Sequence, residues 1–232
     1  MHNSADISEI FVSYQGEGLL IGEKQLFIRF NKCNLNCSYC DTPSKKKAKK
    51  YTPEQLLKKT ISILKKEKIK IISLTGGEPL IYADFLKIFL KLLKKKIKIK
   101  IYLETNSTLP LELKEIINHI DIISADFKLS SSGQIQNQFE KHKKFFNILK
   151  KNKKNFFIKA IVNNKTTKSE FNKMVQFLSE YYKNIPIIIQ PEMQGTTIMI
   201  SRKKLKTLLK IADNKLKNIK LIPQAHKILK IK

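Results

Sequence analysis

The chain alternates between short apolar segments, rich in Ile, Leu and Phe, and longer segments in which apolar residues recur every three or four positions among lysines. The short segments are typical of strands that are buried on both faces, and the longer segments are typical of amphipathic helices. Strands are predicted at residues 25–30, 69–74, 97–103, 121–127, 156–162, 186–190 and 219–222. Helices are predicted at residues 53–66, 84–95, 112–119, 136–151, 168–182 and 202–213.

This alternation of strand and helix predicts a parallel sheet whose strands are joined by crossover helices. The first helix has a clear start signal, because Thr52 and Gln55 have the spacing of a capping box. Seven strands and six helices are too few for a closed eightfold barrel. We therefore predict an α/β fold, a partial, open (β/α)6 barrel of the TIM type, in a single domain over residues 1–232. In such folds the chemistry lies in the loops after the strands.

The chain carries a formal charge of +27, from 46 Lys and Arg against 19 Asp and Glu. Such a charge is typical of proteins that bind nucleic acid or anionic membranes. Only Arg29 and Arg202 are arginines, however, and specific recognition of bases and phosphates usually depends on the bidentate guanidinium group. We interpret the charge as a solvated lysine surface and expect no direct nucleic-acid binding.

Nothing in the chain predicts a membrane segment. No apolar run reaches the roughly 20 residues that span a bilayer, and residues 1–9 are polar and acidic, unlike a signal peptide. We expect a cytoplasmic protein. The clustering of the cysteines agrees with this, because cytosolic thiols stay reduced and bind metals more often than they form disulfides.

All three cysteines, Cys33, Cys37 and Cys40, fall in one eight-residue window with the spacing CxxxCxxC. Three thiolates so spaced can hold three irons of a [4Fe-4S] cluster and leave the fourth iron open to a ligand. The alternative is structural zinc, but zinc motifs usually supply a second pair of ligands. Here the fourth ligand would have to come from one of four histidines: His2, His119, His142 or His226.

The triplet resembles that of the radical S-adenosylmethionine (SAM) enzymes, in which the open iron binds SAM and the reduced cluster cleaves it to a 5'-deoxyadenosyl radical. A second motif extends the resemblance: Gly76, Gly77 and Glu78 follow a predicted strand in the order Thr-Gly-Gly-Glu-Pro. Paired glycines let the backbone approach a ligand, and a carboxylate can accept hydrogen bonds from an ammonium group. The resemblance implies that this motif contacts the SAM amino group.

The chain resembles one family more closely, the 7-carboxy-7-deazaguanine synthases. The matching segments are residues 10–18, 26–30, 40–42, 104–107, 124–128, 131–133, 190–191 and 223–227. This resemblance implies a barrel of the radical SAM type and a radical ring contraction. The substrate would be 6-carboxy-5,6,7,8-tetrahydropterin, and the products 7-carboxy-7-deazaguanine and ammonia, in queuosine or 7-deazapurine biosynthesis. It also implies a homodimer and an electron donor such as flavodoxin or ferredoxin.

The resemblance assigns the pterin site to a substrate-binding loop at residues 10–22 together with later positions. Polar and backbone groups in that loop can pair with the amide edge and amine of a pterin. Arg29, a planar bidentate donor, suits the substrate carboxylate. The implied substrate contacts are Tyr14, Gln15, Gly16, Glu17, Arg29, Thr105 and His226.

The resemblance also assigns cofactor contacts. Thr42, at the end of a cluster loop over residues 33–42, matches a Mg²⁺ ligand, and a hydroxyl with substrate oxygens and waters is a ligand set that Mg²⁺ accepts. Ser107 stands where the family usually has glycine, and it costs stability if that backbone needs a positive φ angle. Besides residues 76–78, the implied SAM contacts are Ser107, Asp126, Phe127, Lys128, Gln190, Pro191, Glu192 and Met193.

Two other readings remain open at this point. A glycyl-radical-enzyme activase shares the cysteine triplet, but it is expected to lack the Gln-Gly-Glu-Gly segment at residues 15–18 and the motif at residues 223–227. A basic RNA-binding module stabilised by a structural metal is the non-enzymatic alternative. Such a module would contain no iron or sulfide in stoichiometric amounts.

Overall fold

A computed structural model describes residues 4–41 and 47–231 of the chain. The strands are β1 (Ala5–Tyr14), β2 (Lys24–Phe30), β3 (Lys49–Tyr51), β4 (Ile71–Gly76), β5 (Lys100–Thr105), β6 (Ile122–Asp126), β7 (Asn155–Val162), β8 (Ile187–Pro191), β9 (Met193–Gln194), β10 (Thr197–Ile198) and β11 (Ile219–Leu221). The α-helices are α1 (Pro53–Leu64), α2 (Ala83–Lys96), α3 (Pro110–Ile116), α4 (Ser130–Gly133), α5 (Phe139–Lys151), α6 (Lys168–Tyr181), α7 (Arg202–Asp213) and α8 (Ala225–Leu229). Short 3₁₀ helices lie at Gly18–Leu20, Pro79–Tyr82 and Ile117–His119.

One sheet organises the molecule, with strand order β11-β8-β7-β6-β5-β4-β2-β1-β3. Seven strands of this sheet run parallel to one another, namely β2, β4, β5, β6, β7, β8 and β11. At one edge β1 pairs antiparallel with β2, and β3 pairs antiparallel with β1. Within the described ranges β3 and β11 are the two ends of the sheet, so the barrel is open. This confirms the predicted partial barrel.

The helices bury their apolar faces against the sheet because the strands between them are apolar on both sides. Every residue of β8 is buried, and so are the first five residues of β4. Fully burying one Leu, Ile or Phe side chain stabilises a fold by about 1.5–3 kcal/mol. The start of α1 is also as predicted, since Thr52 and Gln55 form a capping box.

The amino-terminal half of the barrel interior is filled by a separate apolar cluster. Ile71, Tyr102, Phe157 and Ile188 are buried there, with Leu20 packed against them. Each of the four lies near the start of its strand. Because this end of the barrel is filled, a cavity can form only at the carboxyl ends of the strands.

Some elements differ from the sequence prediction. The segment 10–22 was predicted as a loop, but its first five residues belong to β1, which pairs with β2 from Ile7 to Tyr14. Four short elements were not predicted: β3, α4 and the two strands of the β9–β10 hairpin. Two to four residues are too few to show a periodic pattern of apolar positions. None of the described helices is long and apolar enough to cross a membrane.

Candidate active site

The carboxyl ends of β2, β4, β5, β6 and β7 surround one cavity, and the end of β1 and the C-terminal segment close its side. All three cysteines line this cavity. They lie on the loop that follows β2, where the Cys40 amide donates to the Cys37 carbonyl (3.0 Å) and the Leu35 amide donates to the Cys33 sulfur (3.4 Å). Partial burial raises the pKa of the Cys33 and Cys37 thiols.

The cysteine geometry fits an iron–sulfur cluster better than a single zinc ion. Ligand sulfurs of one zinc lie about 3.8 Å apart, since each Zn–S bond is about 2.3 Å long. Among the described residues, the one set of three His, Cys, Asp or Glu ligand atoms that all lie within 4.8 Å of one another is Glu17, Asp41 and His226. The three cysteine sulfurs therefore do not all lie within 4.8 Å of one another, and all three cysteines line the same cavity. Three separated thiols around one space are the donor set of a cluster with one open iron.

Glu17, Asp41 and His226 do not form a convincing cation site, because their charge is already compensated. The Lys159 ammonium lies 2.6 Å from a Glu17 carboxylate oxygen, and the Lys227 ammonium lies 3.1 Å from Asp41. Thr42, the predicted Mg²⁺ ligand, lies outside the described residues, as does the terminal Lys232.

Gly76 and Gly77 line the cavity, and they also seat the cysteine loop. The Gly77 amide donates to the Phe30 carbonyl (2.8 Å), and the next amide donates to the Lys32 carbonyl (2.7 Å). A Cβ atom at position 77 would lie 2.1 Å from the Lys32 oxygen. Glycine is required here because two backbones meet.

Glu78, the third residue of this motif, bonds to the turn after β5. Its side chain is fully buried and does not line the cavity. Its carboxylate accepts hydrogen bonds from the Thr105 hydroxyl (2.8 Å), the Asn106 amide (2.7 Å) and the Leu80 amide (3.1 Å). Burial raises the pKa of Glu78 to about 7. Glu78 therefore orders the turn after β5, and its predicted contact with SAM stays a prediction.

That turn reaches the cysteine loop through Asn106, a residue that the sequence analysis did not select. The Asn106 side-chain amide donates to the Asn34 Oδ1 atom (2.7 Å) and lies 3.8 Å from the Cys33 sulfur. Ser107 follows with a φ angle of 59°, as its replacement of glycine suggested. Ser107 is fully buried and does not line the cavity, and its contact with SAM stays a prediction.

A buried imidazole joins the turns after β5 and β6. His142 Nδ1 lies 3.2 Å from the Ser107 carbonyl oxygen, and His142 Nε2 accepts from the Lys128 amide (3.1 Å). Accepting at Nε2 requires a neutral ring that carries its proton on Nδ1. Burial lowers the pKa of His142 to about 4, which keeps the ring neutral. His142 thus positions both turns.

The three predicted contact residues at the end of β6 point alternately to the two faces of the sheet. Asp126 and Lys128 face the cavity and form an ion pair of 2.8 Å. Phe127 points to the other face, where it is buried and packs against the rings of Phe139 and His142. Successive side chains of an extended segment lie on opposite faces. The Phe127 ring therefore lies in the core, and the contact of this residue with the cofactor stays a prediction.

The predicted contact residues around the end of β8 also differ in whether they line the cavity. Glu192 lines the cavity, and the Asn163 side-chain amide donates to its carboxylate (2.5 Å). Gln190, Pro191 and Met193 are buried and do not line the cavity. Of the four residues predicted to form the wall of the SAM site, Glu192 is the one that lines the cavity, and the contacts of all four with SAM stay predictions.

The predicted substrate residues do come together. Tyr14, Gln15, Gly16, Glu17, Arg29, Thr105 and His226 all line the cavity. Arg29 Nε lies 3.2 Å from the Glu9 carboxylate, and the guanidinium carbon lies 5.6 Å from the centre of the Phe11 ring. The contacts of these side chains with a substrate remain predictions.

Lys159 is a further cavity residue that the sequence analysis did not select. It lies within β7, only 7% exposed, between Glu17 (2.6 Å) and Asp126 (3.4 Å). These carboxylates hold the pKa of Lys159 well above its usual value, and the ammonium holds the pKa of Glu17 well below its usual value. A lysine inside an apolar strand is a signal that the sequence offered, because lysine is rarely buried unless it is paired.

Residues 224–227, here called the C-terminal strap, cross the open side of the cavity. The Ala225 amide donates to the Gly16 carbonyl (2.9 Å), and the Gln224 amide group donates to Glu17 (2.8 Å) and Asp41 (3.2 Å). The strap therefore links the loop after β1 to the end of the cysteine loop.

Comparison with known proteins agrees with this geometry. A model of the radical SAM superfamily matches residues 27–178, which contain the cysteine loop and the turns after β4, β5 and β6. Fold, site and match together define an enzyme of the radical SAM class. This class uses a [4Fe-4S] cluster and SAM, and the three thiols and the glycine turn beside them fit that pair of cofactors.

Full-length relatives identify the family within this class. The chain is 33% identical to the 7-carboxy-7-deazaguanine synthase of Geobacter sulfurreducens, covering 97% of each chain. It is 31% identical to the enzyme of that name from Archaeoglobus fulgidus, covering 98% of this chain and 99% of the other. The chain belongs to the 7-carboxy-7-deazaguanine synthase family. The crystal structure of QueE from Escherichia coli shares its fold, with a TM-score of 0.64 and 21% identity over 97% of this chain and 96% of the other.

Proposed function

We propose that the protein converts 6-carboxy-5,6,7,8-tetrahydropterin to 7-carboxy-7-deazaguanine and ammonia, in a 7-deazapurine pathway such as that of queuosine. The main support for this proposal is that the cysteines and a set of polar side chains line the same cavity. The cysteine triplet lies on one side, and on the other side lie Gln15, Glu17, Arg29 and Thr105, which offer hydrogen bonds to a flat, polar heterocycle.

In the proposed reaction the cluster and SAM supply the hydrogen-abstracting radical, and the protein supplies position and charge. Arg29 binds the substrate carboxylate, and its pairing with Glu9 and its contact with Phe11 hold the guanidinium plane in place. The ammonium groups of Lys159 and Lys128 offset the carboxylates of Glu17 and Asp126, so the cavity combines fixed dipoles with little net charge. Such preorganised groups stabilise developing charge without reorganising.

Further partners form part of the proposal. Mg²⁺ bound at Thr42 would lie beside the substrate carboxylate, next to Cys40 and Asp41 along the chain. A small electron carrier such as flavodoxin or ferredoxin would reduce the cluster, and the exposure of Cys33 and Cys40 supports its access. We also propose a cytoplasmic homodimer, as the family resemblance implies.

The proposal is tested by reconstituting the cluster without oxygen and supplying the pterin, SAM, Mg²⁺ and dithionite. The expected products are 7-carboxy-7-deazaguanine, identified by mass, and ammonia in equal amount. Cleavage of SAM without the deazaguanine product would refute the substrate assignment and leave the radical chemistry in place. Replacing Cys33, Cys37 or Cys40 by alanine should remove stoichiometric iron and both activities.

A further inference from the structure

Glu104, at the carboxyl end of β5, is a cavity residue that the binding roles described above do not use. Its two carboxyl oxygens have different neutral donors: Gln15 Nε2 lies 2.6 Å from Oε1, and the Thr75 hydroxyl lies 2.6 Å from Oε2. Both donors also line the cavity. The carboxyl group is therefore held rigidly at the cavity wall, and no ammonium group is bonded to it in the described contacts.

The other charged groups of the cavity are held in ion pairs. Glu17 has the Lys159 ammonium at 2.6 Å, and Asp126 lies between Lys128 at 2.8 Å and Lys159 at 3.4 Å. Pairing raises the pKa of both lysines and lowers that of Glu17, so these groups keep their charges. Glu104 differs, because burial raises its pKa while Lys159, from β7, and Glu17 are the charged groups that act on it from a distance. When the surroundings of two carboxyl groups push their pKa values apart, one group typically stays ionised and the other can act as the acid.

The proposed reaction needs such a group. Loss of ammonia breaks a C–N bond, and the departing amine needs one proton that it does not carry. Formation of the aromatic pyrrole ring removes one proton from the neighbouring ring carbon. The two events together neither oxidise nor reduce the substrate.

We propose that Glu104 is the catalytic acid and base of ammonia loss, an inference that rests on the proposed function. The Glu104 carboxyl group gives its proton to the leaving nitrogen as the C–N bond breaks. The resulting carboxylate takes the proton from the adjacent carbon, whose C–H electron pair becomes the new ring double bond. Ammonia leaves, and the carboxyl group is restored. Gln15 and Thr75 position the two oxygens during this exchange.

The test compares Glu104→Gln, which keeps the size of the side chain but removes the acid, with the parent enzyme. Three quantities are measured: pterin affinity without reductant, deuterium transfer out of a pterin labelled at the carbon that bears the carboxylate, and ammonia release. We expect affinity and deuterium transfer to stay within threefold of the parent. Ammonia release should fall by about 100-fold or more, since general acid–base groups typically contribute 10²–10⁴ in rate. A ring-contracted species that keeps the nitrogen should accumulate.

Two further variants complete the test. Glu140→Gln changes a carboxylate that is mostly exposed on α5 and should behave as the parent. Glu104→Asp keeps the carboxyl group and should release ammonia at least tenfold faster than Glu104→Gln, which also covers the case in which the glutamine variant folds poorly.

Three results would overturn the assignment of Glu104. They are unchanged ammonia release in Glu104→Gln, an aspartate variant no faster than the glutamine variant, and a loss of affinity as large as the loss of ammonia release. The last would make Glu104 a binding residue. Failure of the parent enzyme to form the deazaguanine at all is a separate result, and it would refute the proposed function instead.

Discussion

At the residue scale, the turn after β5 depends on one residue in a left-handed conformation. Ser107 has a φ angle of 59°, is fully buried, and its hydroxyl has no hydrogen-bond partner. A side chain in this conformation costs about 1–2 kcal/mol relative to glycine, and a buried unpaired hydroxyl adds to the cost. Glycine also has more freedom to lose on folding, which offsets part of the gain.

We therefore predict that Ser107→Gly stabilises the cluster-free protein by about 1 kcal/mol in urea unfolding. Ser107→Ala removes the hydroxyl but keeps the Cβ atom, so it should recover a smaller part of this gain. A glycine variant less stable than the parent would show that the turn is not strained at this residue.

His142 gives a second prediction at this scale, through the pH dependence of stability. Burial lowers its pKa from 6.5 to about 4. The unfolded chain binds a proton here below pH 6.5, whereas the folded protein resists protonation until about pH 4. The contribution of His142 is therefore complete above pH 6.5 and is lost as the pH falls toward 4. Its full size is about 3 kcal/mol.

The measurement is the unfolding free energy of the parent minus that of His142→Gln, taken from pH 7 to pH 4. This difference should fall by about 3 kcal/mol. Glu78 has a pKa raised to about 7 and changes stability in the opposite direction, but it is present in both proteins and cancels. A difference that stays constant over this range would contradict a neutral, bridging imidazole.

At the scale of elements, the junction of β2 and β4 decides whether the cysteine loop can form. The Phe30 and Lys32 carbonyls accept from the amides at positions 77 and 78, and a Cβ atom at Gly77 would meet the Lys32 oxygen at 2.1 Å. Neither backbone can move without breaking the strand pairing. The glycine turn thus supports the cluster loop as well as facing the cavity.

We predict that Gly77→Ala destabilises the cluster-free protein by about 3 kcal/mol, the upper range for overpacking, and reduces iron binding on reconstitution. Gly195→Ala is the matched control, because Gly195 has a φ angle of +56° with nothing within 4 Å of an added Cβ atom. It should cost about 1 kcal/mol and leave iron binding intact. Equal effects of the two substitutions would mean that the contact with Lys32 is unimportant.

The elements also show how far the sequence could predict the structure. The central strands and long helices were placed within about three residues, because each shows its own period of apolar positions. β1 was not recognised as a strand, since most of its residues are only partly buried and its pattern is weak. Motif matching assigned Phe127 to the site, but the alternation of a strand turns its ring into the core. Glu104 and Asn106 were within a recognised motif, and only the folded contacts show what they bond to.

At the scale of the whole molecule, the barrel has two different ends. Its amino-terminal end is packed by apolar side chains, among them Tyr102 and Phe157, and its carboxyl end holds the polar cavity. Charged side chains also differ between the cavity and the surface. The lysines of the cavity pair with carboxylates, while most of the other lysines are exposed. The excess of positive charge therefore lies on the surface, whereas the charged groups of the cavity are paired.

The cavity places the cysteine triplet and the proposed pterin site side by side, so that both can act on one substrate molecule. The most direct test is anaerobic incubation of the reconstituted enzyme with SAM, reductant and a pterin that carries deuterium at the carbon bearing the carboxylate. We expect deuterium to appear in SAM or 5'-deoxyadenosine while 7-carboxy-7-deazaguanine forms. SAM cleavage with no deuterium transfer from the pterin would contradict this expectation.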